Sequence, residues 1–221
     1  MNFSWEYFMQ VLPEIIAKSS VTLQLTVIAA FFSIMIGVIV AVIRYYQIPV
    51  LEWLAKAYVS IIRGTPVVAQ LYFFYFGLAV YSEIVRKMDP LTACAIVMSL
   101  NVGAFMSESI RGALLSVDDG QKEAAFSLGM NRLQLMHRII IPQAIRVALP
   151  PLFNDLISLV KMSSLAFMLG VADIMGAAKI EGSKSLRFFE VYAAVMLVYW
   201  LIIQVFNWGS RHLEKRSSNA Y

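Results

Sequence analysis

Asn154, Ser158 and Lys161 recur at i, i+4 and i+7 within an apolar stretch, so a helix there carries them on one stripe, with Ser164 nearby and Asp155 to one side. An amide, hydroxyls, an ammonium and a carboxylate gathered in this way can pair charges and hydrogen-bond, and such a face would line a subunit interface or a water-filled path rather than lipid. Ionisable groups inside a membrane span are costly and mark ligand paths by default, which makes this stripe, with the adjoining Met162 and Ser163, the candidate substrate path. The same face also fits an ion-paired interface, with Asp155 and Lys161 bonded to neighbouring helices. A second group of residues, 118–142, has the punctuation of a mechanical part. Asp118 and Asp119 can cap a helix that contains Glu123, Ala124 and Ala125, and Gly129 suits the position just past its end. Asn131 with Gln134 three residues later has the form of a capping box, opening a second helix that runs toward Pro142. Periodicity alone fits equally a pair of amphipathic helices lying on a membrane.

The elements that must position these residues follow from composition. Of 221 residues, 60% are hydrophobic and only 14% charged, and the mean hydropathy is +0.71. Soluble domains carry about a quarter charged residues, so a soluble fold is excluded in favour of an all-α integral membrane protein forming one domain over residues 1–221. The net charge of +4 comes from basic residues spread along the chain rather than gathered into a stripe, which argues against nucleic acid as a partner. The single cysteine, Cys94, lies in an apolar block, and no metal-ligating cluster is visible, so no metal is expected. Residues 1–10 contain Glu6 and lack a basic leading region, unlike a cleaved signal peptide.

Five spans are predicted. Ser19 to Ile43 is free of charge and ends at Arg44, Tyr45 and Tyr46; Gly64 to Ser82 is uncharged and rich in aromatics. Pro90 to Ser107 continues as helix past Glu108 and Arg111, which lie one turn apart and can pair. Pro150 to Leu169 holds the polar stripe, and Val191 to Ser210 carries Tyr192, Tyr199, Trp200 and Trp208. Residues 1–18 read as an external, interfacial segment. Arg63, Gly64, Thr65 and Pro66 shape the start of the second span, where glycine and proline impose a bend. The loops on one side hold eleven Lys/Arg against five acids, and those on the other hold six against seven. The basic side is cytoplasmic, which places the 118–142 loop and the tail 211–221 inside and the N-terminus outside. His137 and His212 fall in cytoplasmic segments and cannot serve a site at mid-membrane.

Glu123-Ala124-Ala125, Gly129 four residues later, Ile139 and Ile141-Pro142 together resemble the EAA motif of permease subunits in ATP-binding-cassette importers, with Ile141 where the family usually has leucine. Arg63-Gly64-Thr65-Pro66, Glu108 to Gly112, Gly120-Gln121, Pro142-Gln143-Ala144 and Leu149-Pro150-Pro151 extend the resemblance over almost the whole chain, toward the polar amino-acid branch. It implies a type I importer permease fold in a bacterial plasma or inner membrane. It also implies that the 118–142 loop docks in a cleft of a separate ATPase, which binds ATP and Mg, and that Glu123, Ala124, Ala125, Gly129, Ile139 and Pro142 form the coupling surface. A second permease subunit, identical or paralogous, and an external solute-binding protein are implied as further partners.

Relatives commonly have Asn-Glu at Asn154-Asp155 and Lys-Asp at Lys161-Met162, so this chain keeps one acid and replaces the other with methionine. That departure favours a zwitterion with an apolar or sulfur-containing side chain over a dibasic ligand. Ser163 to Phe167 and Phe189 to Tyr192 resemble cystine-type permeases. The chain lacks a G-x-x-x-x-G-K-[ST] loop, so it is expected to bind no cofactor itself and to hydrolyse no ATP. An ion-coupled secondary transporter is the alternative function, but it would normally show duplicated halves, and no repeat is evident. No constellation for covalent chemistry is visible either.

Overall fold

The computed structural model describes residues 3–218, with side chains as far as residue 212, and its described residues contain helices and no strand. Of the 211–221 tail, residues 219–221 lie outside the described residues. Helix α1 (Trp5–Ala17) leads through Lys18 into α2 (Ser19–Tyr45). There follow α3 (Leu51–Gly64), α4 (Val67–Tyr72), the single turn α5 (Glu83–Arg86) and α6 (Pro90–Leu115). Short α7 (Asp119–Ser127) and α8 (Arg132–Leu135) precede α9 (Ile141–Met162), α10 (Ile174–Ser185) and α11 (Phe188–Ser218).

Helix α6 is the centre of the fold. Asp89 accepts the Thr92 amide at 3.0 Å to cap it, and Pro90 occupies the first turn, where its missing N–H costs nothing. It buries residues from Ala93 to Leu114 and lies along α2. The two helices approach closely at glycines: a Cβ on Gly37 would stand 2.9 Å from Met106 Cβ, and one on Gly103 2.9 Å from Ile36 Cγ2. At this crossing the Ser33 hydroxyl donates to the Ser99 carbonyl at 3.2 Å. Small residues and interhelical hydrogen bonds are how helices associate where lipid supplies no hydrophobic drive. Helix α9 packs against both α6 and α2, and α1, α10 and α11 form a second cluster around Phe8, Val11, Ile15, Ile174 and Val198. The 1–18 segment, read as interfacial, thus buries one face of α1 while Trp5, Met9 and Ile16 stay exposed.

Among the described residues, four helical runs are long and apolar enough to cross a membrane: Trp5–Tyr45, Pro90–Leu115, Arg132–Leu169 and Phe188–His212. The expected second span, Gly64 to Ser82, is not one of them. Pro66 forces Thr65 into an extended conformation (φ −125°, ψ 147°), which ends α3 and starts a separate α4. From Val67 the chain runs through α4, a π turn (Phe73–Gly77) and a 3₁₀ turn (Leu78–Val80). The unbroken apolar helix Val67–Val80 is about 21 Å at helical rise, so a crossing of the roughly 30 Å hydrocarbon core at this point has to draw on α3 before the break as well.

The expected fourth span begins earlier than Pro150. Pro142 does not stop the helix, because the π turn Met136–Ile140 precedes it and Pro142 sits in the first turn of α9, where an N–H is dispensable. At the other end the α-helix closes at Met162, a 3₁₀ segment runs over Ser163–Leu169, and Gly170 (φ +90°) turns the chain. Helix α10 lies in what reads from sequence as a plain loop.

Candidate functional site

The break at Thr65–Pro66 leaves the last carbonyls of α3 without helical partners. Gln70, one turn into α4, reaches back to them: its Nε2 donates to the Ile62 carbonyl at 2.8 Å, the Thr65 hydroxyl at 2.8 Å and the Thr65 carbonyl at 3.2 Å. Asn101, buried on α6, donates to Gln70 Oε1 at 2.9 Å and fixes the amide in place. The bend therefore has a built support that neither glycine nor proline supplies.

Below it, Glu108 gathers three guanidiniums from three helices. Arg44 of α2 is hydrogen-bonded to Oε1, and Arg111 donates to Oε2 from Nε and Nη2 at 3.2 and 2.8 Å. Arg63 of α3 stands 3.8 Å from Oε1 with its guanidinium over the Phe105 ring at 5.2 Å. The Glu108–Arg111 pair expected from spacing is present. Arg44 and Arg63 join it from positions that spacing could not connect.

A cavity of about 300 Å³ opens beside this cluster, lined by Ile62, Thr65, Asn101, Phe105, Asp155 and Met162 among others. Asp155 receives the Ser109 hydroxyl at 3.4 Å. The seven residues of the predicted path separate on the folded chain. Asn154, Ser158 and Lys161 form an exposed stripe on α9, while Asp155, Ser158 and Met162 line the cavity. Ser163 is fully buried, its hydroxyl donating to the Val160 carbonyl at 2.7 Å, and Ser164 donates to the Lys161 carbonyl at 2.7 Å. Ser163 thus faces packing rather than the path, because the helix tightens to 3₁₀ at that point.

The 118–142 segment has the predicted form of helix, glycine turn and helix. Asp118 accepts the Gly120 amide at 2.9 Å, and Asp119 pairs instead with Lys122 at 2.7 Å, holding that ammonium above its usual pKa. Gly129 adopts φ +77°, and the amides of Gly129 and Met130 bond back to Phe126 and Ala125, closing a Schellman turn. Asn131 and Gln134 exchange two 2.9 Å hydrogen bonds as a capping box. Of the predicted surface residues, Glu123, Ala124, Gly129 and Pro142 are exposed and Ile139 is half-buried. Ala125 is not on the surface: it is 2% exposed, packed with Val117, Leu135, Ile140 and Ala144. Residues that sequence reasoning overlooked take its place. Phe126, Leu128 and Leu133 are 49, 80 and 71% exposed around the turn, apolar side chains in an otherwise polar stretch.

The sequence model of binding-protein-dependent transport system inner membrane components matches residues 33–219. The probable amino-acid ABC transporter permease protein PatM of Vibrio harveyi is 40% identical over 221 residues, spanning all of this chain and 99% of that protein. The L-cystine transport system permease protein TcyL of Bacillus subtilis is 37% identical over 92% of this chain and 87% of its own length. The glutamine transport system permease protein GlnP of Escherichia coli is 32% identical over 98% of each. Among solved structures, a crystal structure of an amino acid ABC transporter superposes with a TM-score of 0.90 at 32% identity, covering 98% of this chain and 100% of that one. With a membrane-spanning helical fold, a matched family model and full-length relatives in hand, the chain belongs to the binding-protein-dependent transport system inner membrane components, as an amino-acid ABC importer permease.

Proposed function

We propose that this chain forms one half of an ATP-driven path that moves a polar amino acid inward by alternating access, with ATP and Mg bound and hydrolysed on a separate ATPase. One observation carries the reading. Helix α7, which leads into the exposed apolar turn of Phe126, Leu128 and Leu133, is hydrogen-bonded through Gln121 to Gln143 at the base of α9, the same helix that carries Asp155 and Met162 into the cavity. A stiff, capped turn that offers apolar side chains to water suits a cleft on a partner, and a rigid helix can carry its displacement to the site. On this reading Glu123, Ala124, Gly129, Ile139 and Pro142 belong to the coupling surface, while Ala125 supports it from inside.

The exposed stripe Asn154, Ser158 and Lys161 is too polar for lipid and fits the boundary with a second permease subunit, identical or paralogous. The basic-side bias places the coupling turn and the C-terminus in the cytoplasm of a bacterium, and the N-terminus outside, where a solute-binding protein delivers substrate. Asp155 with Met162 fits a zwitterion with an apolar or sulfur-containing side chain. Cystine is our choice, with the TcyL similarity in support and the GlnP similarity making glutamine its direct rival.

Reconstitution of this chain with its ATPase and binding protein in vesicles tests the proposal. ATP-dependent uptake is expected, with cystine competing better than glutamine or arginine. Ion-driven uptake by this chain alone would replace the proposal with a secondary transporter, and a preference for arginine would defeat the argument from Met162.

A further inference from the structure

Asp155 and Arg63 carry opposite charges on one cavity and do not pair with each other. Asp155 lines the wall and has a hydroxyl, Ser109 at 3.4 Å, as its side-chain partner. Arg63 is not itself part of the lining; its guanidinium is held 5.2 Å over the ring of Phe105, which lines the same cavity. Glu108 does not satisfy it. The Glu108 oxygens already receive Arg44 and Arg111, and Arg63 stays 3.8 Å away, outside hydrogen-bond distance, with 45% of its side chain exposed. One carboxylate among three guanidiniums leaves a surplus of positive charge on this side of the cavity. An ion in a membrane protein interior without a hydrogen-bonded counter-ion is unfavourable, which applies to Asp155, while Arg63 nearby is half-exposed and only loosely paired.

We infer that Arg63 is the group that binds the α-carboxylate of the transported amino acid, opposite Asp155, which binds its α-ammonium. The ligand is thereby defined as a zwitterion with both backbone charges intact, its side chain lying toward Met162 and Ile62. The inference rests on the reading that an amino acid passes through this cavity. The chemistry suits each partner: the planar guanidinium fork matches a carboxylate, and Phe105 stacking holds the fork in one orientation so that little freedom is lost on binding. The break at Thr65–Pro66, braced by Gln70 and Asn101, then has a purpose, since it ends α3 just after Arg63 and delivers that side chain to the cavity instead of past it.

The test uses the complete detergent-solubilised transporter, without its binding protein, and measures binding of L-cystine and of cystamine, the same molecule without its carboxylates. The native protein should bind cystine at least tenfold more tightly than cystamine. Arg63→Gln should weaken cystine at least tenfold, leave cystamine unchanged and so abolish the preference, while Arg63→Lys restores part of it. A merely structural Arg63 would weaken both ligands alike, and that result overturns the inference. So does equal affinity of the native protein for the two, which needs no variant. If Asp155→Asn abolishes cystine binding while Arg63→Gln keeps the carboxylate preference, the cavity is the site and only the role of Arg63 falls. If neither variant affects binding of cystine, the reading of the cavity itself falls with it.

Discussion

Gln143 Nε2 donates to Gln121 Oε1 at 2.6 Å, and the same nitrogen reaches the Ile139 carbonyl at 3.1 Å. The first residue lies at the start of α9 and the second in α7, so this amide bridge ties the exposed turn to the helix that bears Asp155. Around it the loop and α9 share a core of Val117, Ala125, Leu135, Ile140 and Ala144. The core holds the two parts together, and the bridge fixes their rotation relative to each other. Gln143→Leu should therefore preserve folding, because the loss of two hydrogen bonds, one exposed and one partly buried, costs about 2 kcal/mol. We expect the substrate carried per ATP hydrolysed to drop about fivefold in the reconstituted transporter while hydrolysis itself continues. An unchanged ratio would show that α7 transmits nothing through this contact.

Gly129 occupies the left-handed region at φ +77°, and a Cβ built there meets nothing within 4 Å. The objection to a side chain is therefore backbone strain and not crowding, of the order of 1–2 kcal/mol. Gly129→Val should leave membrane insertion intact, since the turn lies outside the spans, but should open the Schellman turn and move Leu128 and Leu133. Substrate-stimulated ATP hydrolysis in the assembled transporter is expected to be lost. Hydrolysis at the native level in a properly assembled variant would count against the coupling role of this turn.

These local features were legible in the sequence because each is written within a few residues. The start of α6 at Pro90, the Asn131–Gln134 box and the turn at Gly129 follow from local helix-end chemistry alone. The partners of Gln70 and Glu108 do not. Asn101 lies 31 residues from Gln70, and Arg44 lies 64 from Glu108, so no periodicity connects them. Ala125 was read on the wrong face because the choice depends on packing against Leu135 and Ile140, which only the folded loop brings near. Helix α10 escaped notice because its glycines and serines carry no apolar period, and its start depends on a buried cap, Asp173. The division of the second span was hidden for another reason: its hydropathy is that of one continuous crossing helix, and the single residue Pro66 splits it in two.

Gln70 shares the two hydrogens of its Nε2 among three oxygens at the broken end of α3, and its Oε1 accepts from Asn101. Gln70→Leu keeps the bulk but leaves the Ile62 carbonyl and the buried Asn101 amide unsatisfied, at a cost of about 2–4 kcal/mol. A lower melting temperature in detergent is expected, with Gln70→Glu less harmful because its oxygens still accept from Asn101. If Gln70→Leu melts with the native protein, the bend is held by Pro66 alone and the amide is incidental.

Asp173 supplies a pH dependence with a definite sign. It is fully buried between the fourth and fifth predicted spans, and its Oδ1 accepts the Gly176 amide at 2.8 Å to start α10. Burial pushes its pKa up from 3.8 to about 6, against the lowering effect of the Gly176 amide. A carboxyl raised by folding favours the folded state most below its unfolded pKa, and that contribution is lost as the pH climbs through about 6. The loss amounts to roughly 2–3 kcal/mol. The melting temperature of the detergent-solubilised chain should therefore fall between about pH 4.5 and pH 7. Asp173→Asn retains an oxygen for the Gly176 amide but cannot ionise, so its melting temperature should stay level across the same interval. A variant that keeps the native slope would assign the pH dependence to another group and leave Asp173 as a cap without a titration.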